Sequence, residues 1–297
     1  MPATRLLGRR GPVKAYVALT KPRIIELLLV TTLPTMVVAQ RGMPSLGLMA
    51  ATLLGGALAA GGANAINMWA DRDIDRLMAR TAGRPLVTGE VTPAAALTFA
   101  LILEAVAFVE LWVLVNLLSA VLALSATLFY VFVYTLWLKR TSRQNIVIGG
   151  AAGAVPVLVG WAAVRNDVGL APLVLFAIIF VWTPPHFWAL AIKYRDDYRA
   201  AGVPMLPAVA SLKTTARQII VYTVALYALS LVFAEVGGMG AIYGVAAVVL
   251  GAVFLVLAVR LLQDGTAARA MRLFSYSITY VTLLFSAMAL DQLVRSR

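Results

Sequence analysis

Nine long apolar runs constrain this chain more than any other feature of its sequence. They lie near 24–41, 47–69, 93–115, 117–137, 146–164, 169–190, 218–235, 240–260 and 274–293. A helix needs about 20 apolar residues to cross the hydrocarbon core of a bilayer, and most of these runs are close to that length. With 62% hydrophobic and 13% charged residues, the chain is far more apolar than a soluble domain. The sequence therefore predicts an all-α integral membrane protein with nine transmembrane helices.

The basic residues predict how these helices are oriented. With nine spans the two termini lie on opposite sides, so Lys and Arg should collect on alternate connections. Of the 25 Lys and Arg residues, 21 precede the first run or follow the second, fourth, sixth and eighth runs. The other four are Arg41, Arg165, Arg295 and Arg297. We therefore expect a cytoplasmic N-terminus, a basic cytoplasmic segment at residues 1–20, and contact of the basic face with anionic membrane lipid.

Composition also excludes several kinds of site and partner. The chain has no cysteine, so it forms no disulfide, iron–sulfur cluster or thiolate metal site. Topology accounts for the net charge of +12, and no segment resembles a nucleic-acid-binding module, so we expect no nucleic-acid partner. No polar linker or internal repeat divides the chain. Residues 1–297 are therefore expected to form a single transmembrane domain.

A first charged cluster, N-M-W-A-D-R-D-I-D-R-L-M-A-R, follows the second apolar run. On a helix Asn67, Asp71 and Asp75 share one face, because each step of four residues turns by only about 40°. An amide and two carboxylates at the water end of a helix suit Mg²⁺, which completes its shell with water and substrate phosphate. The spacing therefore predicts a Mg²⁺–diphosphate site. The alternative is a solvated helix end with i,i+4 ion pairs.

Arginines continue the same spacing beyond this cluster. Arg76, Arg80 and Arg84 recur at every fourth residue, and their forked guanidinium groups match phosphate oxygens. Gly83 and Pro85 predict the end of the helix. The arginines are therefore expected to lie on one helical face.

A second charged cluster follows the sixth run, in H-F-W-A-L-A-I-K-Y-R-D-D-Y-R. Asp196 and Asp197 cannot share a helical face, whereas Lys193 and Asp197 can. The predicted topology puts this cluster on the same side of the membrane as the first. Two acidic clusters on one side can hold one diphosphate through bridging cations and stabilise it as a leaving group.

Four blocks of sequence, taken in order, resemble a known family. N-x3-D-x3-D followed by R-T-x2-R-P-L (Arg80–Leu86) resembles the intramembrane prenyltransferases of the UbiA superfamily. Three blocks are similar to its haem-farnesylating members: L-T-K-P-R-I-I-E (Leu19–Glu26), Y-T-x3-K-R-x4-N-I-x-I-G-G-x-A-G-A-x-P (Tyr134–Pro156) and T-P-P-H-F-W-A-L-A-I-K-Y-R-D-D-Y (Thr183–Tyr198). The resemblance spans most of the chain.

This resemblance implies a UbiA-type bundle of nine helices and a Mg²⁺-dependent reaction. The farnesyl group of farnesyl diphosphate would pass to a vinyl group of haem b with addition of water, giving haem O. The implied catalytic residues are Asn67, Asp71, Asp75, Asp196 and Asp197, and the implied metal ligands are Asn67, Asp71, Asp75 and Asp197. The implied substrate contacts are Arg80, Arg84, Lys139, Lys193 and His186.

Lys193 departs from the family pattern. Many members have D-x3-D in the second motif, and here Lys193 stands four residues before Asp197. Whether the second motif binds its own Mg²⁺ is left open.

Three features inside the apolar runs have specific interpretations. His186, the only histidine, either ligates haem iron or orients a propionate, or it is a packed, hydrogen-bonded residue. Pro184 and Pro185 predict a local break in the sixth helix. Glu104 lies in the middle of the third run, where an ionisable group is costly, and we expect it to be neutral and hydrogen-bonded across helices.

Two rival functions remain at this stage. A UbiA-type enzyme acting on an aromatic acid such as 4-hydroxybenzoate would use the same diphosphate chemistry. A secondary transporter would place its charges near the membrane midplane, whereas these acidic residues lie at one face. The expected location is a bacterial inner membrane, with the mitochondrial inner membrane as the alternative, and a haem A synthase is the expected protein partner.

Overall fold

The computed structural model describes residues 11–296, without the side chains of residues 23, 24 and 26–29, and within residues 11–296 the fold is all-helical, without a strand. Arg5, Arg9 and Arg10 of the predicted basic segment, and Arg297, lie outside the described residues. The helices are α1 Pro12–Thr20, α2 Pro22–Gln40, α3 Leu46–Ala70, α4 Arg72–Asp75, α5 Pro85–Thr88, α6 Pro93–Leu114, α7 Leu117–Leu128, α8 Lys139–Thr141, α9 Asn145–Arg165, α10 Leu170–Lys193, α11 Arg195–Ala200, α12 Leu206–Val209, α13 Leu212–Val236, α14 Ala241–Asp264 and α15 Ala267–Arg295. A π-helical segment, Phe129–Leu138, joins α7 to α8.

Eight helices of the described chain are long and apolar enough to cross a membrane. They are α3, α6, the continuous helix Leu117–Thr141, α9, α10, α13, α14 and α15. The remaining predicted run coincides with α2, a helix of 19 residues that packs against α9 and α15. The sequence therefore located each long helix, and a multi-pass membrane protein follows from their length and composition.

Two helices begin well before the apolar runs that predict them. α13 starts at Leu212 because Ser211 accepts a hydrogen bond from the amide of Thr214 at 3.0 Å. α15 starts at Ala267 because Thr266 accepts one from the amide of Arg269 at 3.2 Å. Such N-caps satisfy free N–H groups and add polar turns outside the hydrocarbon. Hydropathy alone does not detect these turns.

Small residues let α3 and α6 pack closely. A Cβ atom on Gly62 would lie 2.6 Å from an oxygen of Glu104, so only glycine accommodates this carboxyl group. Glu104 is buried and accepts a hydrogen bond from the hydroxyl of Thr127 on α7 at 3.2 Å. The expected hydrogen bond across helices is therefore confirmed, and it joins α6 to α7 in a medium that offers few other partners.

The predicted break at Pro184 and Pro185 is wrong, because α10 runs unbroken from Leu170 to Lys193. Residues 182–186 are all buried. Trp182 donates a hydrogen bond from its indole to the carbonyl of Ser277 on α15 at 2.8 Å. Prolines are tolerated within membrane helices when neighbouring elements hold the segment in place. Packing against α15 does this here, and the sequence around the prolines does not reveal it.

The largest apolar core lies among α10, α13, α14 and α15 and is filled by aromatic side chains such as Phe254, Tyr280 and Phe285. At one end of the bundle this core extends to the loop helices through Ile74, Met78 and other buried residues. The loops that carry the charged clusters are therefore packed onto the helix ends and do not hang free in solvent.

Candidate active site

The first cluster forms the predicted face. The amide of Asp71 donates to the carbonyl of Asn67 at 2.9 Å, and the amide of Asp75 donates to the carbonyl of Asp71 at 2.9 Å. These i,i+4 bonds carry helical geometry from α3 into α4. Asn67, Asp71 and Asp75 are 3%, 0% and 1% exposed. The alternative of a solvated helix end is therefore wrong for these three side chains.

Each carboxylate of this face has a basic partner. Lys139 forms an ion pair with Asp71, and Arg84 pairs with Asp75 at 2.5 Å. The Asn67 amide donates to Asp71 at 2.8 Å. Burying a carboxylate is costly unless it is paired and hydrogen-bonded. The cations thus hold two negative charges at the edge of an apolar bundle.

The donor set fits a hard divalent cation. Asp71 Oδ1 is buried and has no hydrogen-bond partner within the described chain, and the Arg140 guanidinium lies 3.9 Å from it. Mg²⁺ prefers oxygen ligands of this kind. Among the side chains that the structure describes, however, no three Asp, Glu or His residues form a group that could hold a metal ion by themselves. Asp197 therefore does not join Asp71 and Asp75 in this structure.

The site contains residues that spacing alone did not find. Lys21 donates to the Asn67 side-chain oxygen at 2.7 Å, and Asn67 donates to the hydroxyl of Thr135 at 3.0 Å. Asn64 donates to the carbonyl of Thr20 at 3.0 Å, which fixes the turn between α1 and α2. Burial, with Arg84 and Lys139 nearby, holds the pKa of Lys21 well below its usual value. Lys21 and Thr135 lie within the quoted blocks, but nothing in those blocks paired them with Asn67.

The π-helical segment explains how Tyr130, Thr135 and Lys139 reach the same cluster. In an α-helix, Tyr130 and Lys139 would lie on opposite sides, since nine residues turn by two and a half circles at about 100° each. A π-helix, with hydrogen bonds from residue i to i+5, turns by roughly 80° per residue and brings them nearly into line. The amide of Lys139 donates to the carbonyl of Tyr134, five residues earlier.

The arginines do not lie on one helical face, so that expectation is wrong. Regular helix ends at Asp75, and the chain then turns because the Thr81 hydroxyl donates to the Asp75 carbonyl at 2.9 Å. Arg84 is nevertheless returned to Asp75. The contact of an arginine with the carboxylate face, which the spacing attributed to a continuous helix, is therefore made by a loop that folds back. Arg76 is exposed.

The second cluster is more solvated than the first. Asp196 is 81% exposed in its side chain and pairs with Arg195 at 3.6 Å and Arg199 at 3.3 Å. Asp197 is partly buried, and Lys193 is exposed with its ammonium 5.5 Å from the ring centre of Tyr194. These residues lie at the end of α10 and on α11.

Arg80 connects the two clusters. Its guanidinium lies 5.8 Å from the ring centre of Tyr194, and its charge also acts on Tyr198. Burial raises the pKa of Tyr198, and Arg80 opposes this rise. Cation–π contacts of this kind are worth about 0.5–2 kcal/mol. The two loops therefore converge on one site, as their common side of the membrane predicted.

His186 lies about two turns before Lys193 on α10. It is buried. Its ring stacks between Trp182, at 4.3 Å, and Phe274, at 4.6 Å. Nδ1 lies 2.7 Å from the Ser277 hydroxyl, which itself donates to the Phe274 carbonyl at 2.6 Å. Nδ1 is therefore the donor in this pair, which leaves the lone pair on Nε2.

Comparison with known proteins agrees with this architecture. The sequence profile of the UbiA prenyltransferase family matches residues 28–285. A protein named protoheme IX farnesyltransferase from Frankia casuarinae is 56% identical over 284 residues, covering 95% of this chain and 98% of that protein. One of the same name from Paenarthrobacter aurescens is 54% identical, covering 99% and 94%.

Solved structures share the fold at low sequence identity. A digeranylgeranylglyceryl phosphate synthase superposes with a TM-score of 0.79 at 16% identity, covering 95% of this chain and 99% of that one. A UbiA homologue from Archaeoglobus fulgidus bound to GPP and Mg²⁺ gives 0.65 at 18% identity, covering 92% and 99%. The profile match, the relatives and the shared bundle together show that the chain belongs to the UbiA prenyltransferase family.

Proposed function

We propose that this protein transfers the farnesyl group of farnesyl diphosphate to a vinyl carbon of haem b and adds water at the adjoining carbon. The products are haem O and diphosphate. The observation that carries the proposal is the buried face of Asn67, Asp71 and Asp75, neutralised by basic side chains at one end of an apolar bundle. The name of relatives more than 50% identical supports haem as the acceptor.

The first cluster is the proposed diphosphate site. Asn67, Asp71 and Asp75 would hold Mg²⁺, with Asp196 and Asp197 facing the same diphosphate from the second loop. The cation supplies positive charge that stabilises diphosphate as a leaving group. The proposed phosphate donors are Arg80, Arg84, Lys139 and Lys193. Arg84 and Lys139 already lie against the carboxylates, so a diphosphate reaching the carboxylates also reaches these donors.

The allylic C–O bond then breaks, and its electron pair leaves with the diphosphate. Tyr130 and Tyr134 are stacked at 5.4 Å between ring centres. Both interact electrostatically with Asp71. Their aromatic faces are suited to stabilise the farnesyl cation. The vinyl π electrons of haem form the new C–C bond, water captures the second cation, and the proton leaves to solvent.

His186 is the proposed haem contact. With Nδ1–H held by Ser277, Nε2 is free to ligate iron, and aromatic rings on both sides suit a porphyrin. Replacing His186 by Gln is expected to weaken haem binding by about 10-fold in an absorbance titration, without changing the affinity for farnesyl diphosphate. Unchanged haem affinity would return His186 to a packing role.

We further propose the membrane setting. α2 and the eight other long helices form nine spans, residues 1–297 form one domain, and the N-terminus with the active site faces the cytoplasm. The 21-to-4 division of basic residues supports this orientation. A bacterial inner membrane is the proposed location, with a haem A synthase as the partner that receives haem O.

The decisive experiment is a product assay on detergent-purified protein with haem b and farnesyl diphosphate, with and without Mg²⁺. Mass spectrometry should show haem that carries one farnesyl group and one water only when Mg²⁺ is present. Asp71→Asn should abolish the product. Asp73→Asn is the matched control, since it removes the same charge from a carboxylate that is 60% exposed and pairs with Arg140 at 2.7 Å.

Three other results of this assay would overturn parts of the proposal. Prenylation of 4-hydroxybenzoate in place of haem would leave the diphosphate site intact and overturn the acceptor. Equal product from Asp71→Asn and Asp73→Asn would overturn the site. Neither product, together with transport of a solute across vesicles, would favour the transporter.

A further inference from the structure

A cavity with polar lining residues lies at the opposite end of the bundle from the proposed diphosphate site. It has a volume of about 310 Å³ and is lined by the ends of α2, α9, α13 and α15 and by the start of α10. Its polar lining residues are Arg41, Trp161, Arg165, Asp167 and Gln292. Two of the four basic residues on this side of the chain therefore line one cavity.

Several hydrogen-bond donors in this cavity are unused. Among the side chains that the structure describes, Arg41 and Gln292 make no hydrogen bond or ion pair. Asp167 accepts a hydrogen bond from the Trp161 indole at 3.0 Å and lies 3.9 Å from Arg165. Arg165 therefore still has free N–H donors, and the cavity keeps a net positive charge.

The start of α10 adds to this positive field. Gly169, its N-cap, provides no side-chain hydrogen bond, and Gly169, Leu170 and Ala171 all line the cavity. The free N–H groups of a helix N-terminus favour an anion. Together with Arg41 and Arg165, they make a site suited to a tetrahedral anion such as phosphate.

Haem is an unsuitable source of this anion. His186, the proposed haem contact, lies about 24 Å along α10 from Leu170 at roughly 1.5 Å per residue, which exceeds the reach of a propionate. Farnesyl diphosphate is bound at the other end of the bundle. Phospholipids carry a phosphate group at every membrane surface. Trp161 also lines the cavity, and tryptophan is enriched at that surface.

We infer that this cavity binds the phosphodiester of one phospholipid, with Arg41 and Arg165 as its main ligands. The bound head group would join the ends of five helices and so stabilise the bundle. The site is separate from the chemistry, and its loss should leave the diphosphate site intact.

The test compares the thermal stability of the full-length protein in detergent with three additions. These are phosphatidylglycerol, diacylglycerol with the same acyl chains, and inorganic phosphate at the same phosphate concentration. We expect phosphatidylglycerol alone to raise the melting temperature. An equal rise with diacylglycerol would show that the acyl chains act without the phosphate, and an equal rise with inorganic phosphate would show a free-anion site; either result overturns the lipid assignment.

Matched variants locate the effect. Arg41→Gln with Arg165→Gln should remove the rise caused by phosphatidylglycerol. Arg260→Gln with Arg272→Gln removes the same charge from exposed positions on α14 and α15 outside the cavity, and it should keep the rise. Loss of the rise in both double variants, or in neither, would overturn the site.

Native mass spectrometry gives a second measurement that does not depend on the stability of the variants. Wild-type protein should retain one phosphatidylglycerol more than protein with Arg41→Lys and Arg165→Gln, measured at equal lipid. Equal retention would overturn the inference.

Discussion

The two acidic clusters look alike in sequence but differ sharply in the folded protein. Asp71 and Asp75 are almost completely buried and each has a basic partner. Asp196 is 81% exposed and pairs only with neighbours on its own loop. A buried charge is held in place and is weakly screened, whereas an exposed one is mobile and hydrated. The first cluster is therefore expected to dominate catalysis, and the second to assist.

The largest effect is expected from Asp71→Asn. The substitution keeps the size of the side chain and removes one charge from the proposed Mg²⁺–diphosphate site. We therefore expect kcat to fall by about 100-fold to 1,000-fold, the range seen for loss of one preorganised electrostatic contact. Haem O formation measured by mass spectrometry checks this. Activity within a factor of two of wild type would remove the first cluster from the chemistry.

Lys139→Met should have the next largest effect, on stability as well as activity. It leaves the buried Asp71 carboxylate without its close ammonium partner and with the Arg140 guanidinium at 3.9 Å as the remaining cation. Removing one member of a buried ion pair costs about 3–5 kcal/mol. Thermal unfolding in detergent should show a clear loss. Lys193→Met is the control, because Lys193 is exposed and its replacement should change stability little. Equal losses would contradict the contrast between the clusters.

Asp197→Asn should separate the two residues of the second cluster. Asp197 is partly buried whereas Asp196 is exposed, so Asp197→Asn should lower kcat/KM for farnesyl diphosphate by roughly 10-fold, as for a moderate charge contact. Asp196→Asn should have a smaller effect. The reverse order, measured as initial rates against diphosphate concentration, would show that exposure is a poor guide here.

The smallest effect concerns Asp73, which lies between the two extremes. A hydrogen bond from Arg140 lowers the pKa of Asp73 to about 2. Its stabilisation is therefore fully present above the pKa of the unfolded chain, about 3.9, and is lost as pH falls through about 2. Because the carboxylate is exposed, Asp73→Asn should cost at most about 1 kcal/mol at pH 7. The difference in melting temperature between wild type and Asp73→Asn should become smaller as pH drops below about 4.

Much of the fold could be predicted because the membrane simplifies the physics. Each helix must satisfy its own backbone polar groups and expose apolar side chains to lipid, so length and hydropathy located the long helices directly. The face formed by Asn67, Asp71 and Asp75 could also be predicted, since residues four apart lie on the same side of a helix. For α13 and α15 the predicted starts were wrong, because their first turns are polar and lie outside the apolar runs.

Other features depended on contacts between distant parts of the chain. The loop that returns Arg84 to Asp75 depends on a hydrogen bond from Thr81, and α10 stays continuous through two prolines because α15 supports it. Neither partner is visible in the local sequence. In each case a local rule was overridden by a neighbour whose position only the complete fold determines.

The sequence by itself determined that this chain is a bundle of membrane helices with an N-x3-D-x3-D motif on one helical face, because helix length, hydropathy and residue spacing are local properties. Only the tertiary structure decided that Lys21, Thr135 and Lys139 surround that motif, and that Arg41 and Arg165 share a cavity at the other end. These side chains come from segments far apart in the chain. Their meeting is set by helix packing and by the geometry of the π-helical segment, which no single segment encodes.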